Sequence, residues 1–214
     1  MTFSFTGVVN KAQSGLFTRG DGNNFNVGQK VSGFYTFNSL TPDSNPTANG
    51  RYNNTITNLV VNLGPLSGPT SYTASLGVAS PSNPNFIAIQ NQPFGPTSSD
   101  AYVVRAPVIG TFGTAPNTFS ALSFRIELRD PDGGTFATDA LPTTPPSLSS
   151  FSTSRWRMVF QDIHTGQAKL IGSISRLAVS PVPLPAAVIL FGAGLVALVG
   201  LGAGSWRQKK NSLA

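Results

Sequence analysis

The sequence predicts an all-β protein, an antiparallel β-sandwich of jelly-roll type followed by one C-terminal transmembrane helix. Three observations point there. Between Ser120 and Arg129, Leu122, Phe124, Ile126 and Leu128 alternate with Ser123, Arg125, Glu127 and Arg129. That is the period-two pattern of a strand with one buried and one wet face. Similar short runs recur along the chain between clusters of Gly, Pro, Asn and Asp, and no sustained helical pattern precedes Ala186. From Ala186 to Gly204 the chain reads AAVILFGAGLVALVGLGAG, without a charge.

Phe3 to Val9 alternates and reads as a first strand, and Gly15-Leu16-Phe17 as part of a short second one. Asp21-Gly-Asn-Asn is a turn cluster. Val31 to Phe37 is a strand with Val31, Tyr35 and Phe37 on one face. Thr41 to Tyr52 is a polar loop, because Pro42 and Pro46 interrupt any ladder and Asn49-Gly50 is a turn dipeptide. Thr55 to Leu63 is a strand with Leu59, Val61 and Leu63 inward; Ser71 to Val78 is another. Pro81 to Pro84 is a turn, Phe86 to Gln90 a short apolar strand with neighbours on both sides, and Ala101 to Arg105 a further strand beyond the loop 91–99. Asp130-Pro-Asp-Gly-Gly turns the chain after the strand at 120–129, and Leu141 to Ser154 is a Ser/Thr/Pro-rich loop. Arg155 to Gln161 puts Trp156, Met158 and Phe160 on one side; Lys169 to Val179 returns as its hairpin partner. About nine to eleven strands joined by short loops suit a sandwich, with a closed barrel as the alternative closure.

The tail has its own logic. A helix over 186–204 would span about 28 Å at ~1.5 Å per residue, close to the ~30 Å hydrocarbon core. It has no polar face, and its five glycines suit lipid better than water. Gly200 and Gly204 have GxxxG spacing, a weak signal for helix pairing. Trp206 is an interfacial residue, and Arg207, Lys209 and Lys210 put this end in the cytoplasm by the positive-inside rule. Gly192 to Ala197 fits a dinucleotide-binding fingerprint, but the required βαβ unit and downstream acid are missing. The expected organisation is an ectodomain over 1–180, a proline-rich linker at 181–185, the helix at 186–204 and a basic tail at 205–214.

Val182-Pro183-Leu184-Pro185-Ala186, the apolar run with LFGAGL near its start and the short basic end occur in that order. This combination resembles the PEP-CTERM sorting signals of Gram-negative bacteria, in the VPLPA form. The resemblance implies recognition by an exosortase, a membrane-embedded transpeptidase-like enzyme that cleaves near the proline motif. It implies transient residence in the inner membrane, C-terminus cytoplasmic, and then release to the cell surface or extracellular polymer. Pro181, Pro183 and Pro185 also act as a stiff extended linker, which a processing enzyme requires. The order GFYTF, PDSNP, GRYNNTI resembles ectodomains that carry the same signal and implies no activity. Met1-Thr-Phe-Ser-Phe has no basic or apolar leader pattern, so an export leader is expected upstream.

Composition narrows the chemistry. Charged residues are 10% of the chain and cysteine is absent, so core packing rather than disulfides must hold the domain. The net charge is +6, but Arg207, Lys209 and Lys210 supply half of it. The other basic residues are scattered in sequence, which argues against a nucleic-acid partner. One His and one Glu are too few for a zinc site or a carboxylate pair other than Glu127 with an Asp. Glu127, between Arg125 and Arg129 on the wet face, reads as a solvated cross-strand partner. His164 and Asp162 fall in one tight turn, and Asn53-Asn54-Thr55 is a chance sequon. Asp130 and Asp132 have the flavour of a calcium loop without EF-hand spacing, so a plain turn is the default and calcium the one cofactor candidate. Tyr52, Tyr72, Phe94 and Tyr102 are candidates for a sugar-stacking platform, and core packing explains them equally well. The expectation is a non-enzymatic surface or matrix protein, structural or adhesive, in contact with the membrane, an exosortase and extracellular polysaccharide. The alternative is a carbohydrate-binding or carbohydrate-cleaving module delivered by the same signal.

Overall fold

The computed structural model describes residues 1–13, 16, 25–46, 49–64, 71–92, 99–112, 119–162 and 166–180. Among them are eleven strands: β1 (Thr2–Ala12), β2 (Lys30–Phe37), β3 (Gly50–Asn53), β4 (Ile56–Gly64), β5 (Tyr72–Leu76), β6 (Phe86–Gln92), β7 (Ser99–Ile109), β8 (Thr111–Phe112), β9 (Phe119–Asp130), β10 (Thr153–Asp162) and β11 (Gly166–Val179). A short 3₁₀ turn covers Leu148–Ser150. The barrel unit is Met1–Ser180; Pro181–Ala214 form a separate unit outside the described residues.

Every pairing is antiparallel, and the sheet closes on itself. Two of its staves are broken strands. β5 and β6 run in the same direction along one edge of β7, β5 against Val108 and Ile109 and β6 against Ser99 to Arg105. Residues 77–85 form an excursion between them. β3 and β4 make a second interrupted stave, kinked at Asn54, which has a left-handed φ of 54°. The Asn85 side chain spans both breaks. Its Oδ1 accepts from the Ile56 N–H at 3.1 Å, and its Nδ2 donates to the Ile56 carbonyl at 2.7 Å. An amide side chain there replaces a missing backbone partner, as a buried polar group requires. Asn53-Asn54-Thr55, the sequon of the sequence, is thus the corner of a stave.

With those breaks joined, eight staves follow one another round the ring in chain order, and β1 pairs with β11 to close it. This is an up-and-down barrel, and it corrects the expected jelly-roll sandwich. Alternating burial along a strand is the same whether a sheet packs on a second sheet or curls onto itself, so the pattern could not choose between them. The pairings β1–β11 and β7–β9 make the choice, because together they leave no edge to the ring. The transmembrane helix expected at the end of that architecture has no counterpart among the described residues. Among the described residues no helix is long and apolar enough to cross a membrane, and 186–204 lie outside them.

Bulges set the curvature. The β1–β11 seam shifts register twice, between Thr6 and Gly7 and between Val9 and Lys11. A third shift explains a departure from the sequence pattern. Val159 faces Ser123 and Phe160 faces Ala121, so Leu122 is the extra residue of a bulge. Phe124, Ile126 and Leu128 point inward as expected, but Leu122 turns outward while Phe119 and Ala121 take the inner face.

The interior is one contiguous cluster of side chains. Phe5 stacks on Phe124, with ring centroids 5.3 Å apart, and Phe124 on Trp156 at 6.2 Å. Glycines opposite these aromatics make the room. A Cβ on Gly33 would lie 2.6 Å from the Phe5 ring; one on Gly172 would lie 2.4 Å from Trp156 Nε1 and 1.9 Å from the Val8 carbonyl oxygen. The bare Gly172 lets the indole reach past β11 and donate to Val8 at 3.2 Å. Leu16 and Phe25 are fully buried at one end, where Phe25 packs on Tyr72 and Phe160. Leu16 is therefore not in a second strand; it is part of a plug, and Gly15 and Phe17 lie outside the described residues. At the opposite end Phe136 packs on Phe151, which belongs to the loop predicted over 141–154.

Tyr35 and Tyr102 meet inside the barrel, Oη to Oη at 2.9 Å. Burial, with the partner ring close by, raises Tyr35 well above the usual phenol value. Burial likewise raises Tyr102, although the bond to Tyr35 opposes it. Both stay neutral, so the pair is a hydrogen bond tying β2 to β7 through the core.

Gly172→Ala should destabilise the barrel by about 1–3 kcal/mol in chemical denaturation, since overpacking must displace both indole and backbone. Ser175→Ala on the exposed face of the same strand should change little. Tyr102→Phe should cost about 1–3 kcal/mol by stranding the Tyr35 hydroxyl, and the double change Tyr35→Phe/Tyr102→Phe should cost less than the sum of the singles.

Candidate functional site

The site is built from outward positions of four neighbouring strands. In β9, Arg125, Glu127 and Arg129 occupy the outer face. Arg125 stands directly between Arg105 of β7 and Arg157 of β10, while Glu127 faces Arg155. Lys169 of β11 faces Val159, one outward position further along β10 than Arg157. The basic residues are scattered in sequence but contiguous on this wall.

Like charges in direct cross-strand register repel. Glu127 offsets that repulsion. It is only 4% exposed, although its position on the strand is outward. Its Oε2 accepts from Arg155 Nε at 3.0 Å and Nη2 at 2.7 Å. Its Oε1 accepts from Arg129 Nε and lies 3.3 Å from Arg125 Nη2. Burial alone would raise the Glu127 pKa; the bonds from Arg129 and Arg155 and the charges of Arg125 and Arg155 outweigh it and hold the carboxyl below its ordinary value. Arg125 is lowered by burial and by the charges of Arg157, Arg129 and Arg155, against the pull of Glu127. The sequence placed Glu127 as a cross-strand partner on the wet side. The refinement is that three guanidiniums cover it, so it is buried rather than solvated.

Not every cation is neutralised. Among the described residues no side-chain hydrogen bond or ion pair engages Arg105, Arg157 or Lys169. These three line a groove of about 400 Å³ on the outer wall. Ser123, Gln167 and Asn83 line it too. Asn83 comes from the excursion between β5 and β6, and its Nδ2 is fixed by the Leu122 carbonyl at 2.7 Å. That leaves Asn83 Oδ1 buried without a donor. The bulge at Leu122 therefore both reorients β9 and supplies the carbonyl that aims this amide.

The other sequence-derived candidates, and two further aspartates, Asp43 and Asp100, are placed as follows. Asp130 Oδ1 accepts from the Asp132 N–H at 3.2 Å and its Oδ2 from the Thr135 hydroxyl at 2.8 Å. This is turn chemistry, and no group of three or more His, Asp or Glu that could hold a metal occurs among the described residues. Asp43 organises the polar loop before β3, accepting from the N–H groups of Asn45 and Arg51 at 2.8 Å each. Asp100 is fully buried and accepts from the Phe136 N–H at 2.7 Å, anchoring the end loop. Tyr52, Tyr72 and Tyr102 are all core residues, which removes them from any exposed sugar platform. Phe94, His164, Val182 to Ala186, Arg207, Lys209 and Lys210 lie outside the described residues.

The cationic wall was missed by sequence reasoning because its members come from four strands. The available signal was the outward phase shared by Arg125, Arg129, Arg155 and Arg157. Comparison with protein-family models, curated proteins and solved structures finds no match for this chain.

Glu127→Gln should destabilise the barrel by about 1–3 kcal/mol at pH 7, since three guanidiniums lose their charged acceptor. The folded pKa lies below the ordinary 4.5, so the carboxylate's contribution is complete above that pH and fades as pH falls through the folded value. Denaturation midpoints of the parent and Glu127→Gln should therefore differ at neutral pH and converge in acid.

Proposed function

We propose that this chain is an exported, non-enzymatic protein of the cell surface or extracellular matrix, with a structural or adhesive role. The barrel is a rigid carrier, and it makes contact through its outer wall. The observation that carries this reading is the cationic wall on a barrel whose interior is taken up by its own side chains. An interior packed with Phe5, Phe124 and Trp156 cannot serve as a ligand cup, whereas the arginine row faces solvent. Glu127, the one glutamate, spends its carboxylate on three guanidiniums and stays ionised, which is unsuited to a general acid. Delivery follows from the resemblance of Val182-Pro183-Leu184-Pro185-Ala186 and the rest of the tail to a VPLPA-type PEP-CTERM signal. On this reading an exosortase at the inner membrane of a Gram-negative host processes the chain.

The carbohydrate-binding alternative is favoured by one specific observation, the groove that combines three unpaired cations with an unpartnered amide oxygen. It is compatible with the adhesive role.

Expressed in its host, the protein should be recovered from the surface or matrix fraction, shortened near Pro185. Pro185→Ala, or deletion of Arg207 to Lys210, should hold the full-length chain in the inner-membrane fraction. Equal surface recovery of the variants, or a full-length mass at the surface, would overturn the sorting reading.

A further inference from the structure

The groove beside Leu122 has a composition that narrows its occupant. Arg105, Arg157 and Lys169 supply positive charge with no acidic side chain among the described lining residues. An occupant must bring negative charge to neutralise them. Asn83 Oδ1 adds a different demand. It is a buried acceptor with its own amide nitrogen already committed, so it is satisfied only by an O–H or N–H donor. Ser123 and Gln167, whose side chains can both accept and donate, line the same groove. An occupant that carries anionic groups and hydroxyl donors close together would meet both demands. A chain of phosphodiesters has the charge but presents few donors on its backbone. Nucleic acid would also want an aromatic surface on which bases stack. The large hydrophobics exposed among the described residues include no aromatic, and Phe124, Trp156 and Phe160 all point into the barrel.

We propose that this groove on the outer wall of β7, β9, β10 and β11 is a binding site for an acidic polysaccharide, its carboxylates held by Arg105, Arg157 and Lys169 and a sugar hydroxyl donated to Asn83 Oδ1. The proposal deepens the adhesive reading and rests on it for its biological role. The physical design is a fixed one. β-strand spacing of roughly 4.8 Å sets Arg105, Arg125 and Arg157 in a row across three strands. Glu127 draws Arg125, Arg129 and Arg155 to one side of that row, leaving Arg105 and Arg157 free. Guanidinium forks suit carboxylates, and a groove that already repels itself gains from the arrival of an anion.

The test uses the purified full chain in mild detergent, titrated calorimetrically with polygalacturonate oligomers, with a neutral dextran of equal length and with single-stranded DNA of equal charge. Polygalacturonate should bind, dextran should not, and DNA should bind more weakly. Arg157→Gln with Lys169→Gln should weaken polygalacturonate by about tenfold or more at moderate salt while leaving the melting temperature within a few degrees. Lys30→Gln, away from this groove, should leave affinity unchanged. Asn83→Ala should narrow the gap between polygalacturonate and DNA. Three outcomes would overturn the proposal: no binding of polygalacturonate, DNA binding as tightly, or Lys30→Gln weakening binding as much as the double variant. Each is read in a binding cell with no export step, so failure here is distinct from failure of the sorting reading.

Discussion

The antiparallel pairing of Thr2–Ala12 with Gly166–Val179 is the constraint from which the rest follows. Before it forms, the sheet has two open edges of unpaired N–H and C=O groups, exposed to association with other chains. Once it forms, the ring has a fixed circumference. Eight staves leave a lumen that side chains can just fill, so the identities of the inward residues become tightly coupled. Gly33 and Gly172 are needed because Phe5 and Trp156 claim the space where a Cβ would stand. The two register shifts in the same seam give the extra twist that a closing sheet needs.

A filled interior moves the chemistry outward. The outer face of an antiparallel stave is solvent-facing, and here β7, β9 and β10 place arginines on it in register, with Lys169 of β11 beside them. Such a row is stable only with something to balance it. Glu127 balances part of it from beneath, using both carboxylate oxygens and becoming buried in the process. The remainder, Arg105, Arg157 and Lys169, stays unbalanced within the protein. A wall with that residual charge costs folding free energy and gains it back on meeting an anion, which couples stability to binding.

Much of the fold was legible one strand at a time. Val31, Tyr35 and Phe37, or Trp156, Met158 and Phe160, declare their buried face by alternation, and each lies inside. The hairpin of β10 and β11 was legible from its turn residues. The failures are of one kind. Leu122 fits the alternation but sits at a bulge, whose extra residue is fixed by the partner strand. Leu16 looks like strand and is a plug, because it finds its neighbours at the end of a barrel the local sequence does not describe. Tyr52, Tyr72 and Tyr102 carry both an apolar ring and a hydroxyl, so composition alone fits them equally to a surface or a core; the tertiary hydrogen bonds of Tyr35 with Tyr102, and of Tyr52 with the Asp139 carbonyl, admit them to the core.

By itself the sequence determined that this is an all-β chain, which residues on most strands face inward, and that the segment from Pro181 onward differs in kind from what precedes it. Those properties follow from period-two patterning, turn chemistry and local hydropathy, all read within a few neighbouring residues. Only the tertiary structure decided that the sheet closes rather than splits, and that Arg105, Arg125, Arg157 and Lys169 share a wall. Both depend on which strands pair across long stretches of chain. Pairing partners are chosen by the packing of the whole interior, which no single stretch of sequence contains.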